Sequence, residues 1–334
     1  MPANAPATNK KKVLVTESFA PPGMALLRER SDIEVITFAN AIAQGDFNTL
    51  LQQHAPVHAV ALGGTRFGEE ELNSSGDMRV VTRIGVGFDA VNIPALNKRK
   101  IPLMTTGIAN SPSVAEEALF LMLALAKRAA ELDAAVKQNR WRDRLVTIPS
   151  DLLGKTVIVV GFGRIGTRTV KRCVAMEMKV EVYDPFKPAA DISAAGAEPV
   201  KDLDAALPRA DFVSIHCPKS PETVNMFNAD RLARMKPTAF LVNTARGGIV
   251  DEKALFTALT SGKLAGAGLD VFEFEPPQAD NPLLKLKNVI TAPHMAGVTR
   301  EAMDRMGLQT AKNILSAFDG DLIKDNVVNK EVLG

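Results

Sequence analysis

Short β-branched and aliphatic runs alternate with helix-forming stretches along almost the whole chain, and this alternation restricts the fold more than any other feature. Val13-Leu14-Val15, Glu34-Val35-Ile36, Ala59-Val60-Ala61-Leu62 and Val80-Val81 form one set, and a second follows at 157–160, 180–183, 212–215, 240–242 and 289–291. Strands that alternate with helices join in parallel through crossovers, so the pattern predicts βαβ units around parallel sheets. Two sets of strands in 334 residues, at roughly 150 residues per domain, predict two α/β domains. A hydrophobic content of 46% is enough to give each its own core.

Charge and composition exclude several classes of partner. Forty Lys plus Arg against 38 Asp plus Glu leave a net +2, with no basic field for nucleic acid or an anionic membrane. The single Trp141 and single Tyr183 argue against an aromatic binding platform, which leaves a small soluble partner. Two cysteines, Cys173 and Cys217, cannot form a disulfide framework and suit a reducing, cytoplasmic setting. No cluster with metal-ligand spacing is present, so no metal site is expected. Residues 1–12 are polar and end in three lysines, which reads as a frayed tail without the apolar core of a secretory leader. The longest apolar run, 118–126, falls short of the roughly 20 residues that cross a bilayer, and no membrane association is expected.

Residues 113–132 predict one helix, opened by a capping box of Ser113 and Glu116. Its centre is apolar on every side, which predicts burial all round, as a bridge between domains or at a subunit contact. The mixed-charge stretch 140–151 predicts a loop, and 299–318 a final amphipathic helix. His54 and His58 fall on a polar connection and are expected at the surface, and Lys98-Arg99-Lys100 reads as a solvated helix end.

The densest chemical signal is Lys155-Thr-Val-Ile-Val-Val160 running into Gly161-Phe-Gly163-Arg164-Ile165-Gly166 and then an amphipathic stretch. Strand, glycine-rich turn and helix together make a dinucleotide fingerprint. The first glycine turns the chain, the second admits a pyrophosphate and the third lets helix and strand approach, with the phosphates at the positive helix end. The next strand ends in Asp184, 18 residues after Gly166, where a carboxylate can accept from ribose hydroxyls. That charge repels a 2′-phosphate, and Pro185 and Phe186 follow where a phosphate reader needs Arg, so NAD is expected and NADP disfavoured.

From about Val13 onward the chain resembles the D-isomer-specific 2-hydroxyacid dehydrogenases, which include phosphoglycerate dehydrogenases and glyoxylate/hydroxypyruvate reductases. The resemblance rests on 161–166, on Leu241-Val-Asn-Thr-Ala-Arg-Gly-Gly-Ile-Val-Asp251, on Gly268-Leu-Asp-Val-Phe-Glu-Phe-Glu-Pro-Pro277 and on Asn288-Val-Ile-Thr-Ala-Pro-His294. It implies two doubly wound, parallel-sheet, Rossmann-like domains with the ligands between them. The NAD-binding domain, 108–293, is inserted into a discontinuous, flavodoxin-like substrate domain of 1–107 and 294–334. It further implies reversible oxidation of a D-2-hydroxy acid to its 2-oxo acid, and a homodimer.

The implied catalytic set is Arg246, Glu275 and His294. Hydride transfer at an alcohol carbon needs a group that takes or gives the hydroxyl proton, and an imidazole paired with a carboxylate suits that task. A guanidinium holds the substrate carboxylate in a planar fork and polarises the adjacent carbonyl. The resemblance also implies cofactor contacts from Arg164, Ile165, His216, Cys217, Pro218, Thr223, Thr244, Ala245, Asp270 and Gly297, with Cys217 a packed residue rather than a nucleophile. It places the substrate carboxylate on the backbone at Val86 and Gly87, within Ile84-Gly-Val-Gly-Phe-Asp89.

Three departures from the family pattern stand out. Asp89-Ala-Val-Asn92 replaces the usual Asp-Asn-x-Asp, Glu117 stands where many members carry His, and Gly64 occupies a place where phosphate-binding members gain from an Arg. Arg66 remains as a candidate phosphate contact, which keeps 3-phosphoglycerate dehydrogenase as an alternative. Formate dehydrogenation is disfavoured because Glu275 stands in place of that chemistry's glutamine arrangement. A rival of another class is an NAD-sensing binding protein, akin to co-repressors of this fold, which needs no acid/base set. The chain is expected to end soon after its catalytic core, without an appended regulatory domain.

Overall fold

A computed structural model describes residues 10–146 and 148–334. The chain gathers into two compact units, one formed by residues up to Asn110 together with Val298–Gly334 and the other by Ser111–Gly297.

The first unit carries five strands: β1 (Lys11–Thr16), β2 (Ile33–Phe38), β3 (Val57–Leu62), β4 (Gly76–Arg83) and β5 (Leu103–Met104). Their order is β2-β1-β3-β4-β5, and every pairing is parallel. Both faces are covered. Val13, Val15, Ala59, Ala61 and Val80 pack with Ala311 and Ile314, while Leu14, Val60, Leu62 and Val81 pack with Phe47 and Leu51. This two-sided burial is why these strands read as continuous apolar runs rather than as alternations. The closing helix, Arg300–Phe318, is capped by Thr299, whose hydroxyl accepts from the Ala302 N–H at 3.1 Å. It lies so close to the helix Pro21–Arg28 that a Cβ on Gly23 would come within 2.3 Å of the Gly307 carbonyl oxygen.

The second unit carries seven strands: β6 (Thr156–Val160), β7 (Lys179–Tyr183), β8 (Glu198–Val200), β9 (Phe212–Ile215), β10 (Phe240–Asn243), β11 (Gly266–Leu269) and β12 (Val289–Thr291). The order β12-β11-β10-β9-β6-β7-β8 is parallel throughout. The sequence order reverses across the neighbouring pair β6 and β9, and open α/β sheets bind ligands beyond the carboxyl ends of strands at such a switch point. Both units are parallel α/β sheets, as the alternation predicts, and doubly wound, as the resemblance implies.

Four local expectations are corrected. The polar start extends only to Lys10, because Lys11 and Lys12 pair in β1 and the Lys11 ammonium meets Asp32 at 2.6 Å; residues 1–9 lie outside the described residues. The helix expected over 113–132 runs instead over Ser111–Ala126, with Pro112 in its first turn, where proline fits. It breaks at Arg128, whose φ is +52°, before a separate helix Ala129–Lys137, and Glu116 pairs with Arg172 at 2.8 Å rather than closing a capping box. In the single chain Ala118, Leu121, Met122 and Leu125 of this helix face the sheet, whereas Phe120 is 55% exposed. His58 lies in the core on β3 with its Nδ1 accepting from the Lys12 N–H at 3.0 Å, and burial lowers its pKa against the opposing charge of Asp77.

The stretch expected as a loop over 140–151 includes one 3-10 turn, Trp141–Leu145, with Thr147 outside the described residues. Among the described residues no helix is long and apolar enough to cross a membrane.

Candidate active site

The carboxyl ends of β6, β9, β10 and β11 bring most of the expected residues of the second unit to one edge of its sheet. After β6 the chain turns at Gly161, with φ +98°. A Cβ there would meet the Cys217 nitrogen at 2.7 Å, and one on Gly166 would meet the Gly161 carbonyl oxygen at 1.9 Å. A Cβ on Gly163, by contrast, would meet nothing within 4 Å. Two glycines therefore lock the turn and the third leaves its surface open, which fits a turn that receives a pyrophosphate before the helix Gly166–Ala175. Asp184, just beyond β7, accepts from the Phe162 N–H at 2.7 Å and the Phe186 N–H at 2.9 Å, so its carboxylate is fixed beside the same turn.

Beyond β9, His216 Nε2 lies 2.9 Å from the Ser214 hydroxyl, while His216 Nδ1 and the Thr244 hydroxyl beyond β10 are buried without a hydrogen-bond partner. Such buried polar atoms fit a site whose ligand supplies the missing partners. Burial lowers the His216 pKa to about 4, so this ring is neutral. Burial likewise pushes the thiols up, Cys217 to about 11 and Cys173 to about 12, which removes both from nucleophilic chemistry near neutrality. Thr223 is already engaged: its hydroxyl donates to the Pro218 carbonyl and accepts from the Ser220 N–H, both at 2.7 Å, and so closes the turn that carries Pro218. Arg164 is exposed and Ile165 half-buried, at the start of the helix.

Glu275 and His294 come together although they are 19 residues apart in sequence, and the charge of Arg246, whose guanidinium donates to the Ala245 carbonyl at 2.7 Å, acts on both. His294 Nδ1 and Glu275 Oε2 are 2.6 Å apart, and the other Glu275 oxygen accepts from the Phe272 N–H at 3.1 Å. The hydrogen bond between His294 and Glu275 is the main force raising the His294 pKa; burial opposes it, the Glu275 charge adds to it, Arg246 opposes and Asp270 assists. Burial alone would raise Glu275, but the bonds from His294 and Phe272, with the charges of His294 and Arg246, carry its pKa below the usual carboxylate value. Arg246 thus lies within electrostatic reach of both. Its backbone is set by Asn243, whose amide donates to the Arg246 carbonyl at 2.9 Å and whose oxygen accepts from the Ala245 N–H at 3.0 Å. The next residue, Gly247, must be glycine, since a Cβ would come within 1.6 Å of the Phe272 carbonyl oxygen.

Asp270, expected among the cofactor contacts, is 1% exposed and grips the histidine turn. Its carbonyl accepts from the His294 N–H at 2.8 Å, and its two carboxylate oxygens accept from Met295 at 2.7 Å and Ala296 at 3.0 Å. Burial raises its pKa against these bonds. Glu117, on the helix Ser111–Ala126, is also raised, first by burial and then by the charge of Asp270. Gly297 closes this turn.

The substrate candidates lie in the first unit, at the carboxyl ends of its strands. Val86 and Gly87 follow β4, where Arg83 Nε donates to the Gly87 carbonyl at 2.8 Å. Arg66 follows β3 with an exposed side chain, and a Cβ on Gly64 would meet nothing within 4 Å. Asn243, Arg83 and the acid Glu252 act on the site's backbone and were not among the expected residues. Only Asn243 left a signal, as a polar residue ending an apolar strand just before Thr-Ala-Arg.

Residues 119–296 match the family model described as the D-isomer-specific 2-hydroxyacid dehydrogenase, NAD-binding domain. The chain belongs to this family. Among the family's curated relatives, D-3-phosphoglycerate dehydrogenase of Archaeoglobus fulgidus is 37% identical over 320 residues, 95% of this chain but 59% of that protein. The chain thus spans well under two thirds of that relative. The glyoxylate reductase of Thermofilum pendens is 36% identical over 329 residues, 97% of this chain and 96% of its own length. Among solved structures, the D-lactate dehydrogenase from Aquifex aeolicus, complexed with NAD and lactic acid, has a TM-score of 0.81 at 29% identity over 95% of this chain and 99% of that one.

Proposed function

We propose that the protein interconverts a D-2-hydroxy acid and its 2-oxo acid, with the unit Ser111–Gly297 as the NAD-binding domain and the other unit as the substrate domain. The observation that carries this reading is the His294–Glu275 pair at 2.6 Å with Arg246 in electrostatic reach. NAD supplies or accepts the hydride. Gly161, Gly163, Gly166 and Asp184 would hold it, with His216, Thr244 and Ala245 beside them.

With Nδ1 taken by Glu275, Nε2 of His294 is the nitrogen left for the substrate. In oxidation it takes the hydroxyl proton as the C–O bond becomes a carbonyl, and Glu275 balances the imidazolium that forms. In reduction the same nitrogen returns that proton to the oxygen. Arg246 holds the substrate carboxylate and draws electron density from the adjacent carbonyl. Purified protein with NADH should consume it on adding glyoxylate, hydroxypyruvate or phosphohydroxypyruvate. Inertness across a broad panel of 2-oxo acids would overturn the reading.

Arg66, exposed beyond β3, favours a second reading in which the substrate is phosphorylated, as the name of the Archaeoglobus relative suggests. A preference for phosphohydroxypyruvate that vanishes in Arg66→Ala would establish it. We further place the protein in the cytoplasm as a homodimer. Both cysteines are free thiols, and Phe120, Val136, Trp141, Leu145, Val146 and Ile148 expose apolar surface within one short stretch of chain. Light scattering that gives a monomer's mass would remove the dimer.

A further inference from the structure

Glu275 is delivered by a segment without regular structure, between β11 and the 3-10 turn Pro282–Lys285. Glu273, Phe274, Glu275 and Pro276 are all exposed, so little packing fixes this segment. Both of its ends are nevertheless tied to one side chain. Glu252 Oε1 accepts from the Glu273 N–H at 2.5 Å, and Glu252 Oε2 accepts from the Asn281 amide at 2.9 Å. Glu252 has a firm base, being the first residue of the helix Glu252–Thr260, whose N-cap Asp251 accepts from the Ala254 N–H at 2.9 Å. Asn281 is also held, since its oxygen accepts from the Leu283 N–H at 3.0 Å.

We propose that Glu252 is a positioning residue for the acid/base pair: its carboxylate braces residues 273–281 at both ends and so keeps Glu275 on His294. This inference rests on the dehydrogenase reading for its effect on turnover, but not for its effect on the histidine. A carboxylate is suited to the task because its two oxygens accept from two donors at once, whereas a neutral amide offers one acceptor. Charge-assisted bonds of this kind also resist exchange with water better than neutral ones. Release of the brace lets the Glu275 segment move by fractions of an ångström, and displacements of that order are costly in catalysis.

The test is titration of His294 in the full-length protein by NMR, assigned among the four histidines with a His294 variant. Glu275, Arg246 and Asp270 are the charged groups acting on this ring. In Glu252→Ala, His294 should titrate at lower pH than in the wild type. In Asn281→Asp, which keeps an oxygen for the Leu283 N–H while losing the donor to Glu252, the shift should have the same sign. Turnover in reduction should fall by about tenfold or more, its alkaline limb should move to lower pH, and NADH affinity should stay unchanged. Adding Glu252→Ala to Glu275→Gln should change the His294 titration no further.

A His294 titration equal to wild type in both single variants overturns the proposal, as does a further shift on top of Glu275→Gln. Asn281→Asp decides the matter alone if Glu252→Ala does not fold. A wild-type protein that turns over no 2-oxo acid would sink the dehydrogenase reading, while the titration, which needs no substrate, would still decide the brace.

Discussion

Asp270 holds His294 in a left-handed backbone conformation: the His294 φ is +57°, and its N–H donates to the Asp270 carbonyl at 2.8 Å. That conformation costs an L-residue about 1–2 kcal/mol. The carboxylate offsets it by taking the next two N–H groups, of Met295 and Ala296. Asp270→Asn leaves one of those two donors facing an amide, and a loss of about 1–3 kcal/mol in unfolding free energy is expected in urea titration. Unchanged stability would mean that the turn holds itself.

His294→Asn isolates the chemistry from the backbone, because asparagine tolerates the left-handed region better than most residues. Turnover should fall by about a hundredfold or more, with the NADH dissociation constant unchanged in fluorescence titration. Full turnover would remove His294 from the proton transfer.

The pairing of His294 with Glu275 gives both rate and stability a pH dependence of defined sign. Reduction needs the imidazolium, so its rate should hold at low pH and fall as pH rises through the raised His294 value; Glu275→Gln should move that fall to lower pH. For stability, the raised folded value of His294 means its contribution is complete below the ordinary imidazole value of 6.5 and is lost as pH climbs through the folded one. The lowered folded value of Glu275 means its contribution is present above the ordinary 4.5 and is lost as pH falls through the folded one. A pH–rate profile of reduction with no alkaline fall would contradict this account.

Gly247→Ala should act on the site from outside it. With the Phe272 carbonyl in the way of a Cβ, the ends of β10 and β11 must part, at a cost of about 1–3 kcal/mol. Because Arg246 precedes Gly247 and Phe272 holds Glu275, the reduction rate should fall together with the melting temperature. A variant with wild-type melting and rate would show that the contact relaxes freely.

The sequence revealed strands where apolar runs sit in a two-sided core, as at 13–15 and 157–160. It concealed three others for separate physical reasons. β11 is Gly-Ala-Gly-Leu because Leu121 and Leu125 of the covering helix press on it, and a Cβ on Gly268 would meet the Leu121 Cβ at 3.0 Å. β8 is an edge strand interrupted by Pro199, and β5 is two residues long. His58 was misplaced because the polar connection that carries His54 ends before it: His58 already belongs to β3, whose residues 57–62 are all buried.

At the site, Gly161, Asp184 and His294 lie at or beside strand ends inside dense motifs and were legible. Glu252 and Arg83 were not, because each acts through a backbone group of a residue it holds, and such bonds leave no pattern of residue types; Asn243 left only its place as a polar end to an apolar strand.

The split first unit has a consequence for synthesis. Ser111–Gly297 is contiguous and can finish folding while the ribosome is still translating the tail. The first 110 residues cannot: Val13, Val15 and Ala59 await Ala311 and Ile314, which emerge only after the whole second unit. Until then that sheet face is only partly covered, by Phe19 and Leu27, and part of its apolar surface stays open to water.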